Sequence, residues 1–492
     1  MELQQESIKD LKQDVLRPNY DRSNLKTGVV HIGVGGFHRS HQAFYLHRLM
    51  QVGKAFDWAI CGLGLREEDR GMLKDLKQQD GLYTLLTQHP DGKNDCEVIG
   101  SMKEMLLAPD DPQAAIAKLA HPDTRIVGLT ITEGGYNFNP TTGHFDFSNP
   151  DIVHDLTQPA VPKSVYGYLV EALRRRKRNG IRPFTVLSCD NIQGNGSVLR
   201  RMTLAFVLKQ DPDMAKYIAD HVSFPNSMVD RITPVTSPEI KEVLERGYGI
   251  VDRRPVVCEP FIQWVVEDDF SNGRPELGEV GVQFVNNVAP YELMKIRLLN
   301  AGHSVIGIPG AISGLPTIDA CMQDGIFKRF LRRFLDEEAT PVLGKIQGFD
   351  MEGYKDDLMV RFANPNIKDN VSRICSQSSA KLPKFLIPTL RINLAYEGSI
   401  RFATFVLAAW CYYSDVGKDE KGRSLEIIDD NKETLHLAAW ETKTNLTAFL
   451  EQPELFGDLT ENVRFVKEYV SILVQIYEQG DIRSLMKDLF CL

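Results

Sequence analysis

The sequence predicts an α/β protein, with a Rossmann-like N-terminal domain on a mainly parallel sheet and a mostly α-helical C-terminal domain. Three observations carry this. Four short β-branched runs, at 29–32, 58–63, 125–131 and 184–188, alternate with helix-length amphipathic segments such as 41–50 and 113–120. Such alternation suits a parallel sheet covered on both faces. Each run ends in glycine-rich or polar residues, namely Gly33-Val34-Gly35-Gly36, residues 64–69, Thr132-Glu133-Gly134-Gly135 and Cys189-Asp190-Asn191. Ligands of open α/β sheets bind at those carboxyl ends. Beyond Pro290 long amphipathic segments take over, at 291–299, 325–337, 400–413, 431–450 and 460–479.

A chain of 492 residues exceeds one ordinary core, so two to three domains are expected. The boundary is placed at Asn287-Val288-Ala289-Pro290, giving domains 1–288 and 289–492. Strand-like stretches at 256–257 and 281–285 are expected to extend the sheet. A net charge of −9 speaks against nucleic acid or an anionic membrane as partner, since both need a basic surface. The one basic run, Arg174-Arg175-Arg176-Lys177-Arg178, precedes Asn179-Gly180 and reads as the solvated last turns of a helix, where cations suit the dipole. Eight scattered cysteines without a C-x-x-C pair read as a reduced, cytoplasmic inventory. The polar first 21 residues lack an export signal, and the longest apolar run, 403–413, falls short of the ~20 residues a bilayer requires.

Gly33-Val34-Gly35 follows the first strand directly and opens a helix near His38. Glycines there permit a tight turn and let backbone N–H groups approach a pyrophosphate. His38 occupies the place of the usual third glycine. The expected cofactor contacts are Gly33, Val34, Gly35, Gly36, Phe37, His38 and Arg39, with Glu68 and Asp69 after the second strand. A carboxylate at that strand end accepts both ribose hydroxyls and repels a 2′-phosphate, so NAD is expected over NADP.

Lys295, Asn300 and His303 fall within an arc of about 140° if 295–303 is a regular helix. The intervening Ile296, Leu298 and Leu299 mark that helix as packed, and polar side chains on a packed helix are costly unless they line a polar cavity. Oxidation of a secondary alcohol explains the set. A lysine held uncharged takes the hydroxyl proton, and amides such as Asn300 and Asn191 donate to the developing alkoxide. Asn191 lies after the fourth strand, so the site would close across both domains. For Lys295 alone, a surface lysine is the commoner fate.

Other mechanisms fit less well. Tyr291 and Lys295 match a Y-x-x-x-K spacing, yet Gly278 stands near the place of the serine a short-chain dehydrogenase requires. Zinc chemistry needs clustered Cys, His or Glu ligands, and none is apparent, so no metal is expected. His38, His41 and His47 are read as packing or phosphate contacts.

Several stretches together resemble the polyol-specific long-chain dehydrogenase/reductase family. They are His31-Ile-Gly-Val-Gly-Gly-Phe-His-Arg39, Leu129-Thr-Ile-Thr-Glu-Gly-Gly-Tyr136, Ser188-Cys-Asp-Asn191, Phe224-Pro-Asn-Ser-Met-Val-Asp-Arg-Ile-Thr-Pro234 and Lys295-Ile-Arg-Leu-Leu-Asn300, and the resemblance runs over roughly 27–480. It implies Lys295 as base and Asn191 and Asn300 as oxyanion donors. It also implies that Asp230, His303, Arg373 and Lys381 hold substrate hydroxyls, with Glu133 on a proton route. On the residues alone, Val229-Asp230-Arg231 fits a structural ion pair equally well and Val371-Ser-Arg373 a surface helix. Ala301-Gly302 departs from the Gly-Ser common in bacterial members, which bears on pocket shape. The implied reaction is NAD-dependent interconversion of a polyol and a ketose, with D-mannitol and D-fructose as the expected pair and a monomer as the expected state. D-arabinitol oxidation and hexuronate reduction are alternatives on the same scaffold, and an NAD sensor without turnover is an alternative of another class.

Overall fold

Five parallel strands form the central sheet: β1 (Thr27–Ile32), β2 (Ala59–Gly64), β3 (Met102–Leu107), β4 (Ile126–Leu129) and β5 (Thr185–Ser188). This computed structural model describes residues 1–139 and 142–492. The strand order is β3-β2-β1-β4-β5, and Val30 is in register with Cys61 on one side and Val127 on the other. β1, β2, β4 and β5 are buried throughout, which is why they read as continuous apolar runs. Alternate side chains serve opposite faces. Val30, Leu63, Val127 and Val186 pack with Ile116, Leu169 and Phe206, while Val29, Ile60, Ile126 and Leu187 pack with Leu46, Leu49 and Trp264.

The stretches at 256–257 and 281–285 do not extend this sheet. Val256–Cys258 pairs with Tyr83–Gln88 in a four-stranded sheet, and Gln283–Val285 pairs with Gln263–Glu267 in a three-stranded one. The reason lies at the β5 edge. The Val186 N–H donates to the Ser223 carbonyl, and the Ser227 hydroxyl donates to the Ser188 carbonyl, so that edge is already covered. The hairpin of Tyr83–Gln88 and Asn94–Ile99 is antiparallel and turns at His89-Pro90-Asp91-Gly92, with Gly92 at φ +87°.

The basic run ends the helix Val165–Arg178, but it is not solvated throughout. Arg174 and Arg175 pair with Glu171. Arg176 is fully buried and donates to the carbonyls of Arg182, His121 and Thr124. All eight cysteines are free, and only Cys491 is exposed.

The chain divides into two compact units, Met1–Ala289 and Pro290–Leu492. In the second, the buried helix Arg401–Val416 packs against Val463–Gln479 and Ala301–Ile312. Its N-terminus is held by the buried Glu338 carboxylate, which accepts from the N–H groups of Phe402 and Ala403 and from the Ser399 hydroxyl. Burial pushes this carboxyl up to about 7. The segment expected as one helix over 431–450 is broken: Lys432–Glu441 stops before Thr442, and a 3-10 turn follows at Ala448–Leu450. Residues 325–337 form an α-helix over Gly325–Phe334 that runs into a π turn, Leu335–Ala339. Among the described residues no helix is long and apolar enough to cross a membrane.

Candidate active site

Strand order reverses between β1 and β4, the place where open α/β sheets bind ligands. Gly33, Val34 and Gly35 line a cleft there with Gly64, Glu68, Asp69 and Thr130. Gly33 has φ +91°, and an added Cβ would lie 2.1 Å from the Thr130 carbonyl oxygen, so only glycine closes this turn. A Cβ on Gly35 would meet no protein atom within 4 Å. That glycine therefore leaves room for something the cleft receives. The Thr130 hydroxyl donates to the Gly33 carbonyl at 2.7 Å and lies 3.0 Å from His31 Nε2, tying the β1 turn to the end of β4.

The three acids after β2 are not equivalent. Glu67 pairs with Arg70, and Asp69 accepts the Arg66 N–H at 3.1 Å. Glu68 is exposed in the cleft wall, with no hydrogen-bond or ion-pair partner among the described residues. Gly36 begins a five-residue helix, Gly36–Ser40, and Phe37 stacks on His41. His38 and Arg39 lie in the core behind the turn, not among the residues lining the cleft. The His38 ring stacks on His31 at 3.5 Å, and burial lowers its pKa to about 3. The Arg39 guanidinium donates to the Arg254 carbonyl. His41 bonds the Gln263 carbonyl, and His47 lies 3.2 Å from Glu97. Among the described residues no group of three or more His, Cys, Asp or Glu is placed to hold a metal.

At the ends of β4 and β5 a residue the sequence reading passed over organises the structure. Asp190 accepts the N–H groups of Ile131 and Thr132, at 3.1 and 2.9 Å, and the Tyr136 hydroxyl at 2.9 Å. Thr132 is held at φ 60°, ψ 171°, a conformation a β-branched residue rarely adopts. It leads into the turn Glu133–Tyr136. Burial pushes the Asp190 carboxyl up despite its donors. Asn191 follows directly. Asn195 donates to both the Asp190 and Ser227 carbonyls and so links Asn191 to the strand Ser227–Asp230, where Asp230 is buried. Asp190 stood inside the motif Ser188-Cys-Asp-Asn191, and its place at a strand end was the available signal.

In the second unit, 295–303 is not a regular helix. Lys295 ends the α-helix Ala289–Lys295, Asn300 ends a π turn Ile296–Asn300, and the α-helix Ala301–Ile312 follows. The expected 140° arc therefore does not hold, because a π turn has a different angular spacing; such single turns often mark functional sites. His303 stacks on Phe362 at 4.0 Å, and its Nε2 lies 3.7 Å from Asp369. Asp369 also pairs with Arg373, whose side chain is 66% exposed. The Lys381 ammonium donates to the Ile374 carbonyl at 3.0 Å. Burial, then the Arg373 charge, lowers its pKa. The helix carrying Lys381, Ser378–Phe385, packs against the π turn. Tyr291 makes an edge contact with Phe349.

The parallel 3-2-1-4-5 sheet, the glycine turn at its switch point and the carboxylate after β2 define a dinucleotide-binding protein of the Rossmann class. Residues 27–279 match the mannitol dehydrogenase Rossmann domain, and 287–477 match the mannitol dehydrogenase C-terminal domain. The chain belongs to the mannitol dehydrogenase family. It is 44% identical over 477 residues to the mannitol 2-dehydrogenase of Pyricularia oryzae, covering 96% of this chain and 94% of the relative. The Aspergillus fumigatus mannitol 2-dehydrogenase is 43% identical over 478 residues, covering 96% and 95%. Among solved structures, the ternary complex of Pseudomonas fluorescens mannitol 2-dehydrogenase with NAD and D-mannitol superposes with TM-score 0.87 at 42% identity, covering 100% of this chain and 99% of that one. A D-sorbitol dehydrogenase in substrate-free form superposes with TM-score 0.92 at 37% identity, covering 98% and 100%.

Proposed function

We propose that the chain oxidises D-mannitol to D-fructose with NAD, and catalyses the reverse reduction, by metal-independent hydride transfer with Lys295 as general base. The observation that carries the reading is the near-full-length similarity to mannitol 2-dehydrogenases, one of them solved with NAD and D-mannitol. The chain is an NAD-dependent polyol dehydrogenase. In this reading residues 1–288 hold the cofactor, residues 289–492 supply most of the substrate contacts, and the enzyme acts as a cytoplasmic monomer.

The first unit suits the cofactor. Gly33 and Gly35 leave the backbone approachable, and Glu68 offers an uncommitted carboxylate to the adenosine ribose. NAD, when bound, supplies the hydride acceptor. The protein's own groups handle the proton and the oxygen. An uncharged Lys295 amine accepts the proton of the reacting hydroxyl, while the amides of Asn191 and Asn300 donate to the oxygen as charge develops on it. Asp230, His303, Arg373 and Lys381 hold the remaining hydroxyls, and Glu133 passes the proton towards solvent. The π turn ending at Asn300 and the His303–Asp369–Arg373 cluster support this assignment, because both spend regular structure or charge on one small region. D-sorbitol is the second reading, favoured by the close superposition on a D-sorbitol dehydrogenase.

A panel of mannitol, arabinitol, sorbitol and fructuronate, assayed with wild type and Lys295→Ala, tests both substrate and base. Mannitol should give the highest kcat/KM, and Lys295→Ala should abolish turnover with NADH binding nearly intact. Near wild-type turnover in the variant rules out the lysine mechanism, and a preference for another polyol rules out mannitol.

A further inference from the structure

The cleft wall near the end of β2 also carries a cation, opposite in sign to Glu68 and ion-paired through one nitrogen with Asp75. Arg254 lines the cleft together with Gly33, Gly35, Glu68 and Asp69. Its backbone is fixed at both ends: the carbonyl accepts from Arg39, and the N–H donates to Asp252 at 2.8 Å. Nε donates to Asp75 at 2.6 Å, which leaves the two terminal nitrogens without a hydrogen-bond partner among the described residues. A Cβ added to Gly71 would lie 3.4 Å from Nη2. The guanidinium therefore sits against the first turn of the helix Arg70–Gln78, just beyond the strand end where a dinucleotide's adenosine ribose is read.

We propose that Arg254 forms an anion subsite at the adenosine end of the cleft, able to take the 2′-phosphate of NADP, so that the preference for NAD rests on the repulsion of Glu68 and not on the lack of a cation. This rests on the NAD reading above. A phosphate monoester carries a charge of about −1.5 to −2 and three acceptor oxygens. A guanidinium whose terminal nitrogens are free, and whose position is fixed from behind, suits such a group. Glu67 and Asp69 are already engaged by Arg70 and by the Arg66 N–H. Glu68 is thus the carboxylate whose repulsion a 2′-phosphate would meet in full. Arg66, exposed beside Glu68 on the adjoining rim, adds a second positive charge. The competing role for Arg254 is general neutralisation of the diphosphate, which NAD and NADP share.

Fluorescence titrations with NADH and NADPH on wild type, Glu68→Gln, Glu68→Gln/Arg254→Ala and Glu68→Gln/Arg254→Lys separate these roles. Glu68→Gln should tighten NADPH binding by about tenfold or more, and adding Arg254→Ala should reverse most of that gain. The Arg254→Ala loss should be at least about fivefold larger for NADPH than for NADH, with Arg254→Lys retaining part of the gain. Equal losses for both coenzymes, or an unchanged NADPH affinity in the double variant, overturn the subsite. No NADPH gain in Glu68→Gln overturns it together with the role of Glu68. Failure of wild type to bind NADH overturns the NAD reading itself.

Discussion

Asp190 holds Thr132 in a left-handed conformation by accepting two successive N–H groups on separate oxygens. An asparagine offers one acceptor oxygen and turns an NH2 towards the other donor. Asp190→Asn should therefore cost about 1–3 kcal/mol, the price of a buried donor left unpaired, read as a lower urea midpoint at unchanged slope. Because Glu133 follows Thr132 directly, kcat should fall as well; a variant with wild-type stability and kcat would remove Asp190 from this role. The cofactor turn was legible from Gly33-Val34-Gly35 because its backbone demand is local. Asp190 and Arg254 were not, since what they hold lies about sixty residues or more away in sequence, and no spacing rule announces such pairs.

Elements with a strong local pattern were legible in the same way. The strands at 29–32, 58–63, 125–131 and 184–188 announce themselves because both faces are buried. β3 was missed: Met-Lys-Glu-Met-Leu-Leu has the composition of a good helix former, and pairing with β2 overrides it. The π turn at Ile296–Asn300 was equally hidden, since no periodicity argument allows for one inserted residue. Glu338 shows an element held by one buried group with a measurable signature. Its carboxyl lies at about 7 in the fold against an ordinary 4.5. Between those values the native state keeps a proton that the unfolded state releases, so stability falls as pH rises from about 4.5 to about 7, by something on the order of 3 kcal/mol. Glu338→Gln, neutral throughout, should lose that slope: its Tm difference between pH 5 and pH 8 should be smaller than the wild type's. Equal differences would show that Glu338 does not titrate in this window.

At the scale of the molecule, the residues lining the nucleotide cleft described above all belong to the unit Met1–Ala289. A ligand that binds only folded protein stabilises it by about 2.7 kcal/mol at a hundred times its Kd. Saturating NADH should therefore raise the melting temperature of the protein, followed by calorimetry, whereas NADPH at equal concentration should raise it less. Identical shifts would contradict discrimination at Glu68. The parallel architecture was readable from the alternation of runs and helices, but the places of Val256–Cys258 and Gln283–Val285 in the two smaller sheets were not, because three-residue strands carry too little pattern to name a partner.

The His31–His38 stack carries a lesson for anyone redesigning this cofactor loop. Repairing the motif to three glycines by His38→Gly would look like a return to consensus, yet the imidazole is a wedge behind the loop rather than an obstacle in front of it. Removing it would strip one face of His31, the ring that meets the hydroxyl bracing Gly33. The loop's shape is set from the rear, and engineering that attends only to the surface facing the nucleotide would loosen the part it intends to improve.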